Sequence, residues 1–182
     1  MDSLSLATAK SVSRPVLFTA EEFAQAYSDR VHRFAAMACH GDQDSADLAQ
    51  EALIRAIRAL PKFDPSKGQL ESWLWAIVLN CARDAGRASR RRLTLLERFS
   101  AHQHIASEPN AETSALKNIA DGELLALLRT LPLRQRTVVA LRYGAGLSYA
   151  EIAHQMKTSE RAAIMANRRA LQRLRSRLEV TE

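Results

Sequence analysis

No apolar run in this sequence is long enough to cross a bilayer. The opening stretch MDSLSLATAK has neither a basic leader nor a continuous hydrophobic centre, so it does not read as a signal peptide. The expectation is a cytoplasmic protein without membrane insertion. Cysteine is scarce: Cys39 and Cys81 are the two in the chain. In the cytosol both are expected to be reduced, and their apolar helical contexts read as core packing. A zinc site assembled from His32, Cys39, His40 and Cys81 matches no recognised ligand spacing, so neither a metal nor a cofactor is expected. A glycine-rich phosphate loop, a paired-carboxylate site and a nucleophile beside a base are all missing. The sequence therefore offers no catalytic residues, and it reads as a binding protein rather than an enzyme.

Hydrophobic residues make up 47% of the 182, enough to bury a core. That length fits one domain or two small ones. The net charge of +6 suggests an anionic partner. Its distribution is uneven: residues 1–51 hold 8 acids and 4 bases, residues 52–100 hold 4 and 10, and residues 101–182 hold 8 and 12. Positive charge gathers in two blocks, near 83–98 and 157–177, which fits a molecule that touches an extended polyanion twice.

The periodicity predicts an all-α fold. Residues 1–18 are small, polar and aperiodic, and read as a mobile arm. Thr19 and Glu22 form a capping box that opens a first helix. Gly41–Asp44 stops it and starts a second, with Leu48, Ala52, Leu53, Ala56, Ile57 and Leu60 on one face. Asp47, Gln50, Glu51, Arg55 and Arg58 lie on the opposite face. Pro61 ends that helix, lacking an amide hydrogen and disfavouring helix in the residue before it. A loop rich in turn formers, Phe63–Gly68, leads to a third helix with two stripes. Leu70, Trp73, Leu74, Ile77, Val78, Cys81 and Ala85 are expected to face a core. Asn80, Arg83, Asp84, Arg87 and Arg91 follow a polar face that ends in Arg90, Arg91 and Arg92. Trp75 and Leu79 fall off the apolar stripe and are expected at another interface.

Residues 100–111 lose all periodicity and read as a flexible linker between domains at 19–99 and 112–182, with His102 and His104 as solvated linker residues. The second domain opens with a helix over 112–131, with Leu116, Ile119, Leu124, Leu127, Leu128 and Leu131 as its apolar set. A helix over 134–143 closes at Gly144-Ala145-Gly146. Ser148 and Glu151 form a second capping box, opening a helix over 149–156. After a turn at Lys157-Thr158, Ser159 starts a long basic helix with Ala163, Ala166, Ala170, Leu171, Leu174 and Leu178 inward. Short helix, tight turn, long basic helix is the helix-turn-helix arrangement.

The segment DLAQEALIRAIRAL, then FDPSKG, then ESWLWAIVLNCARD and RRR, resembles the second homology region of bacterial sigma factors, within them the extracytoplasmic-function group. LPLRQRTVVALRYGAGLSYAEIA resembles the fourth homology region, again in the family's order. The resemblance implies that Asp47, Gln50, Glu51, Arg55 and Arg58 dock on core RNA polymerase. Taken alone, that face would be an ordinary solvated one. It implies promoter DNA as a second partner. At the minus-ten element the contacts would come from Phe63, Asp64, Lys67, Trp73, Asn80, Arg83, Asp84, Arg87, Arg90, Arg91 and Arg92. Asn80 would read an extruded base and the arginines would follow the backbone. On residue pattern alone, Trp73 is a core aromatic and the arginines a helix end favoured by the dipole. At the minus-thirty-five element it implies Ser159, Arg161, Ala162, Met165, Arg168, Arg169 and Arg173. An anti-sigma factor is the third implied partner.

Two departures stand out. Lys157 occupies the turn where relatives usually have glycine, at a cost of about 1 kcal/mol. The recognition helix carries Ala163-Ile164-Met165-Ala166 where relatives commonly have polar or basic residues, leaving fewer side chains for bidentate base contacts. The rival readings are a stand-alone helix-turn-helix regulator and an adaptor for an acidic partner.

Overall fold

A computed structural model describes residues 18–39, 41–100 and 119–179, without the side chains of 42, 43, 92–100 and 119–121. The arm at 1–17, most of the 100–111 linker and residues 112–118 lie outside the described residues. The described residues form seven α-helices and no strand: α1 (Ala20–Ala38), α2 (Asp42–Ala59), α3 (Leu70–Ser100), α4 (Ile119–Arg129), α5 (Leu133–Val139), α6 (Tyr149–Met156) and α7 (Glu160–Leu178). The fold is all-α, in two helical domains, α1–α3 and α4–α7.

Local chemistry sets the boundaries. Thr19 accepts from the Glu22 amide at 3.1 Å while the Glu22 carboxylate takes the Thr19 amide at 2.8 Å. These bonds hold Glu22 below the usual carboxylate range, the backbone bond to Thr19 most of all. Ser148 and Glu151 repeat the device at the start of α6. Beyond α2 the chain tightens into a 3₁₀ turn, Leu60–Lys62, with Pro61 at its start. Asp64 caps a second such turn, Pro65–Lys67, its Oδ1 accepting from the Ser66 amide at 3.1 Å and hydroxyl at 2.7 Å.

In the first domain, Phe23, Val31 and Phe34 of α1 meet Leu48, Ala52 and Ala56 of α2 and Leu74, Trp75 and Val78 of α3. That core continues without a break into the second domain through Val138, Leu141, Leu147, Ile152, Ala163 and Ala166. A smaller cluster, Leu128, Leu131, Val139, Ala170 and Leu174, fixes α4 and α5 against α7.

The seam between the domains forms where α5 runs into a five-residue π-helical stretch, Ala140–Gly144. Gly144 lies against the α1 backbone: a Cβ there would sit 2.9 Å from Phe34 Cα and N. No side chain can be accommodated without moving α1. Arg30 of α1 donates to the Ala145 carbonyl at 2.7 Å, pairs with Glu71 of α3 and stacks over Trp75. On the other side, Gln155 of α6 donates to the Ser72 carbonyl at 2.7 Å.

Several expected core positions are instead exposed. Ala85 is solvent-facing, because α3 by that point has run past the helices that cover its first half. Leu124, Leu171 and Leu178 are 45%, 43% and 50% exposed. They lie on the flanks of their helices, outside the strip that the neighbouring helix covers. Conversely, Arg136 and Asn167 are buried, at 4% and 3% exposure.

Candidate nucleic-acid and polymerase interfaces

The outer face of α2 is open. Asp47, Gln50, Glu51, Arg55 and Arg58 are all exposed. They alternate with the buried Leu48, Ala49, Ala52 and Ala56, as a half-covered helix requires. The face does not stop at α2. Arg55 pairs with Glu51 on its own helix and reaches Asp84 of α3 at 3.4 Å. Asp84 in turn pairs with Arg87. One network thus joins residues expected to dock on polymerase to residues expected to lie on DNA, a link that spacing along either helix could not reveal. The Arg87 bond, seconded by Arg55, holds the Asp84 carboxyl below its ordinary range and keeps it ionised.

Further along α3, Asn80 is exposed and its Oδ1 accepts from Arg83 Nη1 at 2.9 Å. With its oxygen bound to Arg83, the amide keeps its NH₂ as a donor. Arg87, Arg90 and Arg91 are exposed, whereas the Arg92 side chain lies outside the described set.

The loop before α3 is held by an aromatic stack. Phe63 lies 5.3 Å from Trp73 between ring centroids, and Trp73 lies 6.5 Å from Phe23. Trp73 is half-buried, with one side on the core and the other under the loop. The fully buried tryptophan is Trp75, which packs on Phe34 at 5.7 Å. Leu79 is buried as well. Both belong to the core cluster that also holds Leu74 and Val78, and Trp75 is the one whose contacts reach α1, at Phe34 and Arg30. Trp75 Nε1 finds no hydrogen-bond partner among the described residues. Lys67, exposed at the loop's end, lines a cleft with Ser72, His154 and Gln155, where the loop faces α6.

In the second domain, Lys157 takes φ 50° and ψ 52°, the single non-glycine residue with positive φ among those described. The Thr158 amide closes back on the Ala153 carbonyl at 2.9 Å, the wrap that ends a helix through a left-handed residue. Ser159 then caps α7, accepting from the Ala162 amide at 3.2 Å. Arg161, Met165, Arg168, Arg169 and Arg173 are exposed, and Ala162 half-buried. Beneath them, Asn167 donates to the hydroxyls of Tyr149 at 2.8 Å and Tyr143 at 3.2 Å. Asn167 was invisible to periodicity because a polar residue at an inward position reads as a break in the stripe. Two tyrosines near the helix-turn-helix are the signal that could have suggested its partners.

Burial pushes the Cys39 thiol up to about 11 and raises that of Cys81 too. Both are free thiols and neither is a ready nucleophile. Among the described residues no cluster of histidine, cysteine and carboxylate could hold a metal, and no helix is long and apolar enough to cross a membrane.

Residues 23–92 match the sigma-70 region 2 family and residues 127–176 match sigma-70 region 4. The chain is 33% identical over 150 residues to the ECF RNA polymerase sigma factor BldN of Streptomyces coelicolor, covering 81% of this chain and 56% of that one. It is 30% identical over 135 residues to the ECF RNA polymerase sigma factor ShbA of Streptomyces griseus, covering 73% and 71% respectively. The chain spans about half the length of several curated relatives it matches. Its fold is similar to that of the sigma factor RpoE of Bartonella quintana, solved with the anti-sigma factor NepR. That likeness has a TM-score of 0.65 at 19% identity and covers 89% of this chain and 98% of that one. Two region matches in family order, on the two domains that carry the exposed arginine helices, lead to one conclusion: the chain belongs to the bacterial RNA polymerase sigma factors of the extracytoplasmic-function group, with homology regions two and four.

Proposed function

We propose that this protein is a transcription initiation factor that binds core RNA polymerase and directs it to specific promoters. It acts by binding, without catalysis of its own, in the cytoplasm. The observation that carries this reading is the pairing of two exposed arginine faces, α3 on the region 2 match and α7 on the region 4 match. The α2 face docks on polymerase. The loop at 63–68 and α3 contact and melt the minus-ten element. Unstacking a base costs about a few kcal/mol, and Asn80, bonded to Arg83, supplies a hydrogen-bonding end for the extruded base. α7 contacts the minus-thirty-five element. The domain boundaries at 19–99 and 112–182 divide these tasks.

An anti-sigma factor is the regulatory partner that fits this reading. The similar RpoE structure holds NepR, and here the end of the loop and the first turn of α3 face α6 across a cleft that a partner could widen or seal. The deciding experiment is pull-down with core polymerase followed by transcription on a genomic fragment library. Stoichiometric binding and promoter-dependent transcripts are expected. DNA binding without polymerase binding would favour a stand-alone regulator, and neither would favour an adaptor.

The docking face has its own test. Gln50→Lys with Arg58→Glu alters two exposed positions outside the Arg55 network. This pair should abolish core binding while shifting stability by less than about 0.5 kcal/mol. Wild-type core affinity in the double variant would remove the α2 assignment.

A further inference from the structure

We propose that α7 reads thymine methyl groups through Ile164 and Met165, making thymines in the upstream element specificity positions of this protein. The inference rests on the reading that α7 lies on promoter DNA, and it names what α7 recognises there.

The rotation of α7 about its axis is fixed. Ala163, Ala166 and Ala170 are buried against the domain, and Asn167 is tied to two tyrosine hydroxyls. At about 100° per residue, this turns Arg161, Ile164, Met165 and Arg168 outward over the first turns of the helix. All four are exposed. In a helix-turn-helix, the N-terminal part of the second helix faces the base edges in the major groove.

Ile164 and Met165 are 41% and 37% exposed. Ile164 has no hydrogen-bonding group, and Met165 offers only a thioether sulfur, a weak acceptor. The apolar feature that base edges present in the major groove is the C5 methyl of thymine. The surroundings select nucleic acid over an apolar protein surface. Arg161, Arg168 and Arg169 stand around the pair, and none of them has an ion pair with another described residue. An apolar pair ringed by unneutralised arginines complements a groove walled by phosphates. A protein partner would have to desolvate those charges.

The test uses holoenzyme, the full chain with core polymerase, on a promoter recovered from the fragment library. Each thymine of the upstream element is replaced in turn by deoxyuridine, which keeps the hydrogen-bonding edge and removes only the methyl. At one or two positions affinity should fall about fourfold, the effect of one buried methyl-sized group. Ile164→Ala or Met165→Ala should erase that sensitivity while still binding core polymerase. The proposal is overturned if every deoxyuridine promoter binds as tightly as its parent while Arg161→Ala and Arg168→Ala still weaken binding; α7 then lies on DNA without reading methyls. It is also overturned if the Ile164 and Met165 variants lose core polymerase instead. Should deoxyuridine, Arg161→Ala and Arg168→Ala all have no effect, the placement of α7 on DNA fails with it.

Discussion

In the middle of α3, polar and charged side chains are tied to one another; along the first half of α7 the exposed arginines are not. Arg83 holds Asn80, Arg87 pairs with Asp84, and Arg55 crosses from α2 to join them. Arg161, Arg168, Arg169 and Arg173 have no ion pair with other described residues. The seating differs in the same sense. α3 is anchored by a large buried ring, Trp75, and α7 by a row of alanines. A surface held by mutual bonds has fixed geometry but part of its positive charge is already neutralised. A surface of free arginines keeps its full attraction for phosphate and little preference for any one placement. The first suits capture of a particular base, the second a grip on duplex backbone.

The largest effect should come from the seating of α3. Trp75→Ala removes a fully buried ring that contacts Phe34 and Arg30, and should cost about 3–5 kcal/mol in chemical denaturation. Trp73→Ala should cost clearly less, since that ring is half-exposed. Equal losses would mean that α3 is not anchored asymmetrically.

Next comes the turn ahead of α7. Lys157→Gly relieves a left-handed residue with a Cβ and should stabilise the protein by up to about 1 kcal/mol. The melting temperature reads this, and an unchanged or lower value would show that the turn stores no strain.

The smallest effect is on salt dependence, and here the contrast is sharpest. Each arginine that neutralises a phosphate contributes about one unit to the slope of log affinity against log salt. Arg168→Ala should therefore flatten the slope of holoenzyme binding by about one unit. Arg87→Ala should flatten it by less, because Arg87 already shares its charge with Asp84. Equal changes would erase the distinction between tied and free arginines.

Most of the local structure was legible in the sequence. Both capping boxes, the limits of α6, the stop at Pro61 and the strained turn at Lys157 follow from side-chain chemistry within four residues. What was not legible depends on contacts between distant segments. Gly144 reads as a helix stop, and nothing nearby announces that Phe34 will lie on it. Trp75 and Leu79, four residues apart and off the main stripe, signalled that α3 is covered on two sides without saying by what. Leu171 and Leu178 continue the period of α7 but lie outside the strip its neighbours cover. Among candidate site residues, the faces were legible and the link between them was not: Arg55 and Asp84 meet only because α2 and α3 pack side by side.

The central claim is that α3 captures a base, whereas its arginines and those of α7 hold the duplex. Permanganate footprinting of melted thymines, on a promoter and on its single-base variants, tests it with Asn80→Ala holoenzyme. Duplex affinity should stay near wild type while strand opening falls. Preference at one minus-ten position should relax by about 1–3 kcal/mol. If duplex affinity falls in parallel with opening and base preference is retained in full, Asn80 is a structural residue and α3 captures no base through it.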